Sequence, residues 1–249
     1  VEAWNSHDID VIRSVYTDDV EHHDGQLEII GADRVAVMAN RLLERNPDWD
    51  GRLAGLYIGG AEAMGVWEIV DIRVGANDYT DDHPIVEYDV LELRDGQIAT
   101  WTLYYDPETM PAFTLSSDRA EAEAALLADY ATAWSSDDPA AAAALYATGA
   151  SRSDPVFEQE SEGRDAIERH ATEWFDWYPE VSVELVHPIA EASREEPELG
   201  GVFSIRPDGD ADSCEVLMAV LLETDEDGRI TAERAYYDAE SLIVCGWAV

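Results

Sequence analysis

Between Gly31 and Pro47 the segment GADRVAVMANRLLERN spaces apolar residues three and four apart among charged ones, the pattern of a helix with one buried face. It begins after a glycine and stops at a proline, and GRDAIERHATEWFDWY, ending before Pro179, is its twin. Ahead of each helix a turn (NSHDID, SSDDPA) leads into a short helix running to Tyr16 or Tyr146, followed by a brief strand (VEHHD, ASRSDPVF). Beyond each helix the pattern changes to strand-like alternation, with hairpins at RDGQ and DEDGR. Helices first and antiparallel strands afterwards predict an α+β fold.

The pattern occurs twice because the sequence does. Trp4, Ser6, Asp8, Tyr16 and Asp24 recur 130 residues later as Trp134, Ser136, Asp138, Tyr146 and Asp154. Gly31, Asp33 and Pro47 recur 132 later as Gly163, Asp165 and Pro179. The same 132 relates Asp95, Gly96, Ile98, Tyr104, Tyr105, Asp106 and Glu108 to Asp227, Gly228, Ile230, Tyr236, Tyr237, Asp238 and Glu240. Offsets that hold with one small insertion predict two homologous domains, residues 1–112 and 113–249. The second opens with a helix from about Asp118 to Trp134, started by Asp118 with Glu121 three residues on. Its first-copy counterpart falls mostly ahead of Val1, so the first domain is expected to lack most of that helix or to continue upstream.

Charge changes the picture of the surroundings. Fifteen Lys+Arg face 55 Asp+Glu, a net charge of −40, and every cation is an arginine. Nucleic-acid and anionic-membrane partners are disfavoured, since both need clustered cations. No apolar run approaches the roughly 20 residues of a membrane span. Self-repulsion of this size predicts a salt-rich cytoplasm, as in a salt-adapted microbe. Cys214 and Cys245 lie in apolar surroundings without a CxxC spacing, which favours buried free thiols, with an oxidised pair as the alternative.

The motifs WNSHDID, YTDDVEHHD, the GADR helix ended by NPD, and LELRDGQI followed by YYD resemble the nuclear transport factor 2 superfamily, above all its SnoaL-like polyketide cyclase and ketosteroid isomerase branch. The second copy repeats WSSDD, SDPV, GRDAI, YPE and DEDGRI with YYD. The resemblance implies two cone-shaped domains, each with helices packed on a strongly curved sheet around a largely apolar pocket. Relatives pair through their sheets, so the tandem implies an internal pseudo-dimer, with a further homodimer left open.

The resemblance also assigns residues. Asp24 and Asp154 fall where a ketosteroid isomerase carries its general base, a carboxylate whose pKa an apolar cavity raises; the alternative is a strand-end aspartate bonding backbone amides. Strand alternation puts His22 on the face of Asp24, as its tuner or as an acid, and His23 on the other face. Arg152 and Ser153 hold the matching second-copy positions. Asp89 aligns with the protonated aspartate of the isomerase oxyanion hole, or is a buried aspartate bonded to a neighbouring strand; Val220 or Leu221 stands there in the second copy. Tyr130 matches the isomerase tyrosine, or is a core aromatic. Trp101, Tyr104 and Tyr236 are expected to line or floor the pocket, with Tyr105 and Tyr237 turned away. Asp71 and Arg73 share a strand face as an ion pair, or activate water as in limonene epoxide hydrolase, where their order is reversed.

His-His-Asp along one strand cannot converge on one metal ion. The chain also lacks a phosphate-cradling glycine loop and a G-x-S-x-G. Neither metal nor cofactor is therefore expected. The expected ligand is a small apolar or carbonyl-bearing molecule, handled by isomerase- or cyclase-type acid–base chemistry. The alternatives are a non-catalytic binding or assembly module and water addition to an epoxide. If the charge reflects salt adaptation, thermal melts in molar salt will give a higher midpoint than melts in roughly 0.1 M salt; equal midpoints would remove that reading.

Overall fold

The computed structural model describes residues 1–24, 27–59, 62–70, 72–74, 77–80, 82–106, 117–155, 159–190, 199–207 and 214–245. The chain divides into two compact α+β units, one drawn from Val1–Leu56, Ala61–Phe113 and Glu191–Arg194, the other from Tyr57–Gly60, Thr114–Ala190 and Glu195–Val249.

The first unit runs α1 (Glu2–Asn5), α2 (Ile9–Ser14), β1 (Tyr16–Asp24), β2 (Leu27–Ile30), α3 (Ala32–Arg45), β3 (Asp50–Gly59), β4 (Glu62–Val70), β5 (Ile72–Val74), β6 (Asn77–Tyr79), β7 (Ile85–Arg94) and β8 (Gln97–Tyr105). The second runs α4 (Ser117–Trp134), α5 (Pro139–Ala144), β9 (Tyr146–Asp154), β10 (Gln159–Glu162), α6 (Arg164–Trp177), β11 (Ser182–Ala190), β12 (Leu199–Arg206), β13 (Val216–Thr224), β14 (Ile230–Asp238) and a closing helix, α7 (Ala239–Cys245). Sheet order in the first unit is β2-β1-β8-β7-β4-β3, with β5 and β6 a separate ribbon, and in the second β10-β9-β14-β13-β12-β11. The two orders match strand for strand.

Local chemistry explains the shared start. His7 and Asp137 both sit at φ 54°, turning the chain sharply. Asp8 and Asp138 then cap α2 and α5, each accepting from two backbone N–H groups at 3.0–3.2 Å. Gly31 and Gly163 open α3 and α6 at φ 98° and 82°, where a side chain would be strained. Their N–H groups bond back to Val20 and Ala150, both at 2.8 Å, holding each long helix against its own first strand. In α6 the buried residues Ile167, His170, Ala171, Trp174 and Phe175 keep the three-and-four spacing of a core-facing stripe.

Three expectations change. The short helix stops at Ser14, and Tyr16 already belongs to β1, a nine-residue strand rather than a brief one. Each sheet contains one parallel pair, β1 with β8 and β9 with β14, inside an otherwise antiparallel set. The cysteines are not buried free thiols: Cys214, just ahead of β13, and Cys245, at the end of α7, form a disulfide with Cα atoms 5.5 Å apart. Because α7 packs on β13 and β14, it returns the second cysteine to the first.

Candidate active site

The first unit has a partly open hollow of about 1000 Å³ between α1, α2, α3 and the concave side of its sheet. Register decides which side chains face it. On β8, Trp101, Leu103 and Tyr105 alternate inward. Leu103 has Asp24 beside it on β1 and Asp89 beside it on β7. Trp101 has His22 on one side and Leu91 on the other, and Tyr105 is paired with Glu87, itself opposite Trp67 on β4. All of these line the hollow. Gly65, opposite Asp89, leaves room for the Trp67 indole, whose Nε1 would lie 2.6 Å from any Cβ there.

Polar groups in this wall are poorly matched. The Tyr105 hydroxyl donates to Asp24 Oδ1 at 2.9 Å. Asp89 is 6% exposed, and its Oδ1 has no hydrogen-bond partner. His22, 1% exposed, leaves Nδ1 equally unpaired, and its ring lies 4.1 Å from the Trp101 ring centre. Among the described residues neither arginine nor lysine lines the hollow. Among the described residues no three His, Cys, Asp or Glu side chains converge closely enough to hold a metal ion.

The electrostatics follow from that poverty of partners. Burial raises the Asp89 pKa to about 7; the Trp101 indole pulls the other way, though its N–H falls short of hydrogen-bond geometry, and the Asp24 charge adds to the rise. Burial also raises Asp24, while its bond from Tyr105 draws it partly back. Glu87 is raised well above the usual carboxylate range, first by desolvation and then by Asp89 and Asp24. Burial lowers His22 to about 4, leaving it neutral at pH 7.

The second unit fills the same place with charge. Arg152, in the His22 position, ion-pairs with Asp154 and with Glu233, both at 2.9 Å, and its guanidinium lies 4.7 Å above Trp134. Glu233 also accepts from Tyr130 at 2.9 Å and from Tyr146, while Tyr237 donates to Asp154 at 3.1 Å. His170 Nε2 meets an Arg152 N–H and lies 3.6 Å from Asp154. Burial and Arg152 lower the His170 pKa, so the ring is neutral: it accepts from Arg152 and forms no ion pair. Arg152, Asp154, His170 and Glu233 are each at most 3% exposed.

Of the residues singled out in the sequence, His22, Asp24, Asp89 and Trp101 therefore meet in one hollow, while Asp154 and Tyr130 meet in a closed ionic core. Tyr104 and Tyr236 require a correction. The strand period puts Tyr105 and Tyr237 on the functional faces and turns Tyr104 and Tyr236 to the opposite ones. Asp71 lies outside the described residues; of Arg73 only its backbone place in β5 is described. Glu87 and Trp67 were not anticipated. The second-copy partner of Asp89 is Val220, which faces Ala235 as Asp89 faces Leu103.

The sequence profile of the SnoaL-like domain matches residues 1–101 and again 127–233. No curated protein matches. Among solved structures, one from Catenulispora acidiphila with a ketosteroid isomerase-like fold, in complex with trimethylamine, shares 23% identity over 48% of this chain and 89% of its own, with a TM-score of 0.40. A Mycobacterium tuberculosis epoxide hydrolase of the limonene epoxide hydrolase-like kind shares 21% over 45% and 80%, with a TM-score of 0.38. A polyketide cyclase-like protein from Sinorhizobium meliloti shares 14% over 41% and 86%, at 0.36.

Two stability experiments separate the units. Asp89 has a folded pKa raised from 3.8 to about 7, so the stability it contributes is present below pH 3.8 and is lost as pH rises towards 7. His22 acts oppositely, losing stability as pH falls from 6.5 to 4. The Asp89→Asn variant should therefore gain in unfolding free energy over the native protein between pH 4 and 8, by an amount reaching a few kcal/mol at about 1.4 kcal/mol per pKa unit; a gap in denaturant unfolding that does not grow with pH would show Asp89 to be relaxed. Arg152→Ala should cost about 3–5 kcal/mol in denaturant unfolding, because it leaves Asp154 and Glu233 buried without their cation.

Proposed function

We propose, since the chain belongs in both halves to the SnoaL-like family, that its first half binds a small apolar carbonyl compound and performs isomerase- or cyclase-type acid–base chemistry on it. Asp24 is the base. It takes a proton from the carbon next to the carbonyl, the C–H electrons pass into an enolate, and the proton returns at another carbon of the same substrate. Asp89, about half protonated at pH 7, in its protonated form donates a hydrogen bond to the enolate oxygen through the carboxyl oxygen that has no partner in the fold. The Tyr105 hydroxyl, which favours the ionised form of Asp24, and the burial and Asp24 charge that favour the protonated form of Asp89 hold the two acids apart in character.

One observation carries the reading: Asp24 and Asp89 flank Leu103 across three adjacent strands at the wall of an apolar hollow. Two strand spacings put their backbones about 10 Å apart, room for a flat substrate between the carboxyl groups. The volume lies at the upper end of the range for small-molecule sites. The second half, with Arg152 and Glu233 in place of His22 and Trp101, serves as a companion domain without this chemistry.

The test uses small β,γ-unsaturated ketones, whose conversion to conjugated enones is followed by ultraviolet absorbance. Asp24→Ala should lower turnover by about 10²- to 10⁴-fold with an unchanged circular dichroism melt; unchanged turnover refutes the assignment. A ketone that binds to the native protein without turning over supports a carrier instead.

A further inference from the structure

The acid–base reading uses Asp24 and Asp89 and leaves Glu87 without a task. Glu87 stands in the middle of a row of three residues across adjacent strands, Trp67 on β4, Glu87 on β7 and Tyr105 on β8, all facing the hollow. A carboxyl group standing between two aromatic residues is the arrangement that receives an organic ammonium group: the rings present their negative faces, and the arriving cation favours release of the acid's proton, so that the ionised acid supplies the counter-charge. Trp4, Tyr16, Trp49 and Trp101 extend the aromatic lining.

Three carboxyl groups, Asp24, Glu87 and Asp89, share this wall with no arginine among the described residues lining it, in a chain without lysine. The buried and unpaired Asp89 oxygen points the same way. The corresponding place in the second unit shows what the fold does when it supplies the cation itself: Arg152 enters, pairs with two acids and lies over Trp134. There Met218, opposite Tyr237, replaces Glu87. Among the described residues, Glu87 and Asp89 occur in the half without an internal cation, where the other half has Met218 and Val220.

We propose that the ligand of the first unit carries a positive charge, an amine or quaternary ammonium group seated against Glu87 between Trp67 and Tyr105. The carbonyl end then lies towards Asp24 and Asp89. This inference rests on the hollow being the ligand site, as in the preceding section.

Phenyltrimethylammonium and tert-butylbenzene have the same shape and differ in charge, so titrating each into the full chain at pH 8, read by tryptophan fluorescence, isolates the charge. The cation should bind about tenfold or more tightly. Glu87→Gln should remove that preference while leaving the neutral compound's affinity unchanged. Glu223→Gln, at an exposed position of the second unit, should keep it, which excludes a general pull from the net charge of −40. Trp67→Leu gives an independent second loss of preference, and a melt of each variant confirms folding. Equal affinity for the two compounds, or a preference that survives Glu87→Gln, overturns the ammonium inference and leaves the acid–base reading standing. If neither compound binds, both fall together.

Discussion

The Ile98 N–H bonds the Val15 carbonyl at 2.9 Å, and the Ile230 N–H bonds Leu145 at 3.0 Å. These bonds start the parallel ladders between β1 and β8 and between β9 and β14, and the ladders set which residues stand side by side across the concave wall. A strand slipped by one residue would turn every inward side chain outward. His22 beside Trp101, Asp24 beside Leu103 and Arg152 beside Glu233 all depend on this register. The capped turns at Asp8 and Asp138 and the glycine-started helices deliver β1 and β9 to that position in the same way twice.

Given one register, the two units solve the problem of a buried acid differently. An ionised carboxylate in apolar surroundings needs a cation, a set of donors or a proton. Asp154 has a cation and a donor, in Arg152 and Tyr237. Asp24 keeps the equivalent donor, Tyr105, and gains no cation, because His22 is neutral where Arg152 is charged. The paired ionic core is buried, with Arg152 joined to both acids. The unpaired one leaves carboxyl groups whose proton affinity is displaced towards neutral pH, the property that proton transfer requires.

Much of this was legible in the sequence, and the failures share a cause. Local signals carried the turns and the glycine helix starts, because each needs only neighbouring residues, and the constant offsets carried the duplication. The period of two placed His22 with Asp24; followed consistently, it also places Tyr105 rather than Tyr104 with Trp101, and carried back from Asp89 it reaches Glu87. The ionic core of the second unit lay beyond such reasoning. Arg152 meets Glu233 across 81 residues and His170 across 18, so recognising the partners requires both the strand register and the face of α6. The disulfide likewise depends on α7 folding back on β13, where the alternation suggested further strands.

Each unit has its own apolar cluster, so the strain of the first hollow has to be met within the first unit. Its cluster is rich in aromatic contact there: Tyr16 stacks on Trp101 at 5.7 Å, and Trp4 packs on Trp49 at 5.6 Å while its indole N–H bonds the Tyr16 hydroxyl at 3.0 Å. These rings bury large areas without needing the acids, and so can hold the wall in place while Asp89 and His22 stay unsatisfied. In the second unit Trp134 instead covers Arg152, and the acids take part in the packing itself. Unsatisfied polar atoms are tolerated where surrounding packing over-determines the structure, and such places are where a ligand gains most by arriving. The first unit meets both conditions in the hollow beside Trp101, and the proposed binding chemistry rests on them.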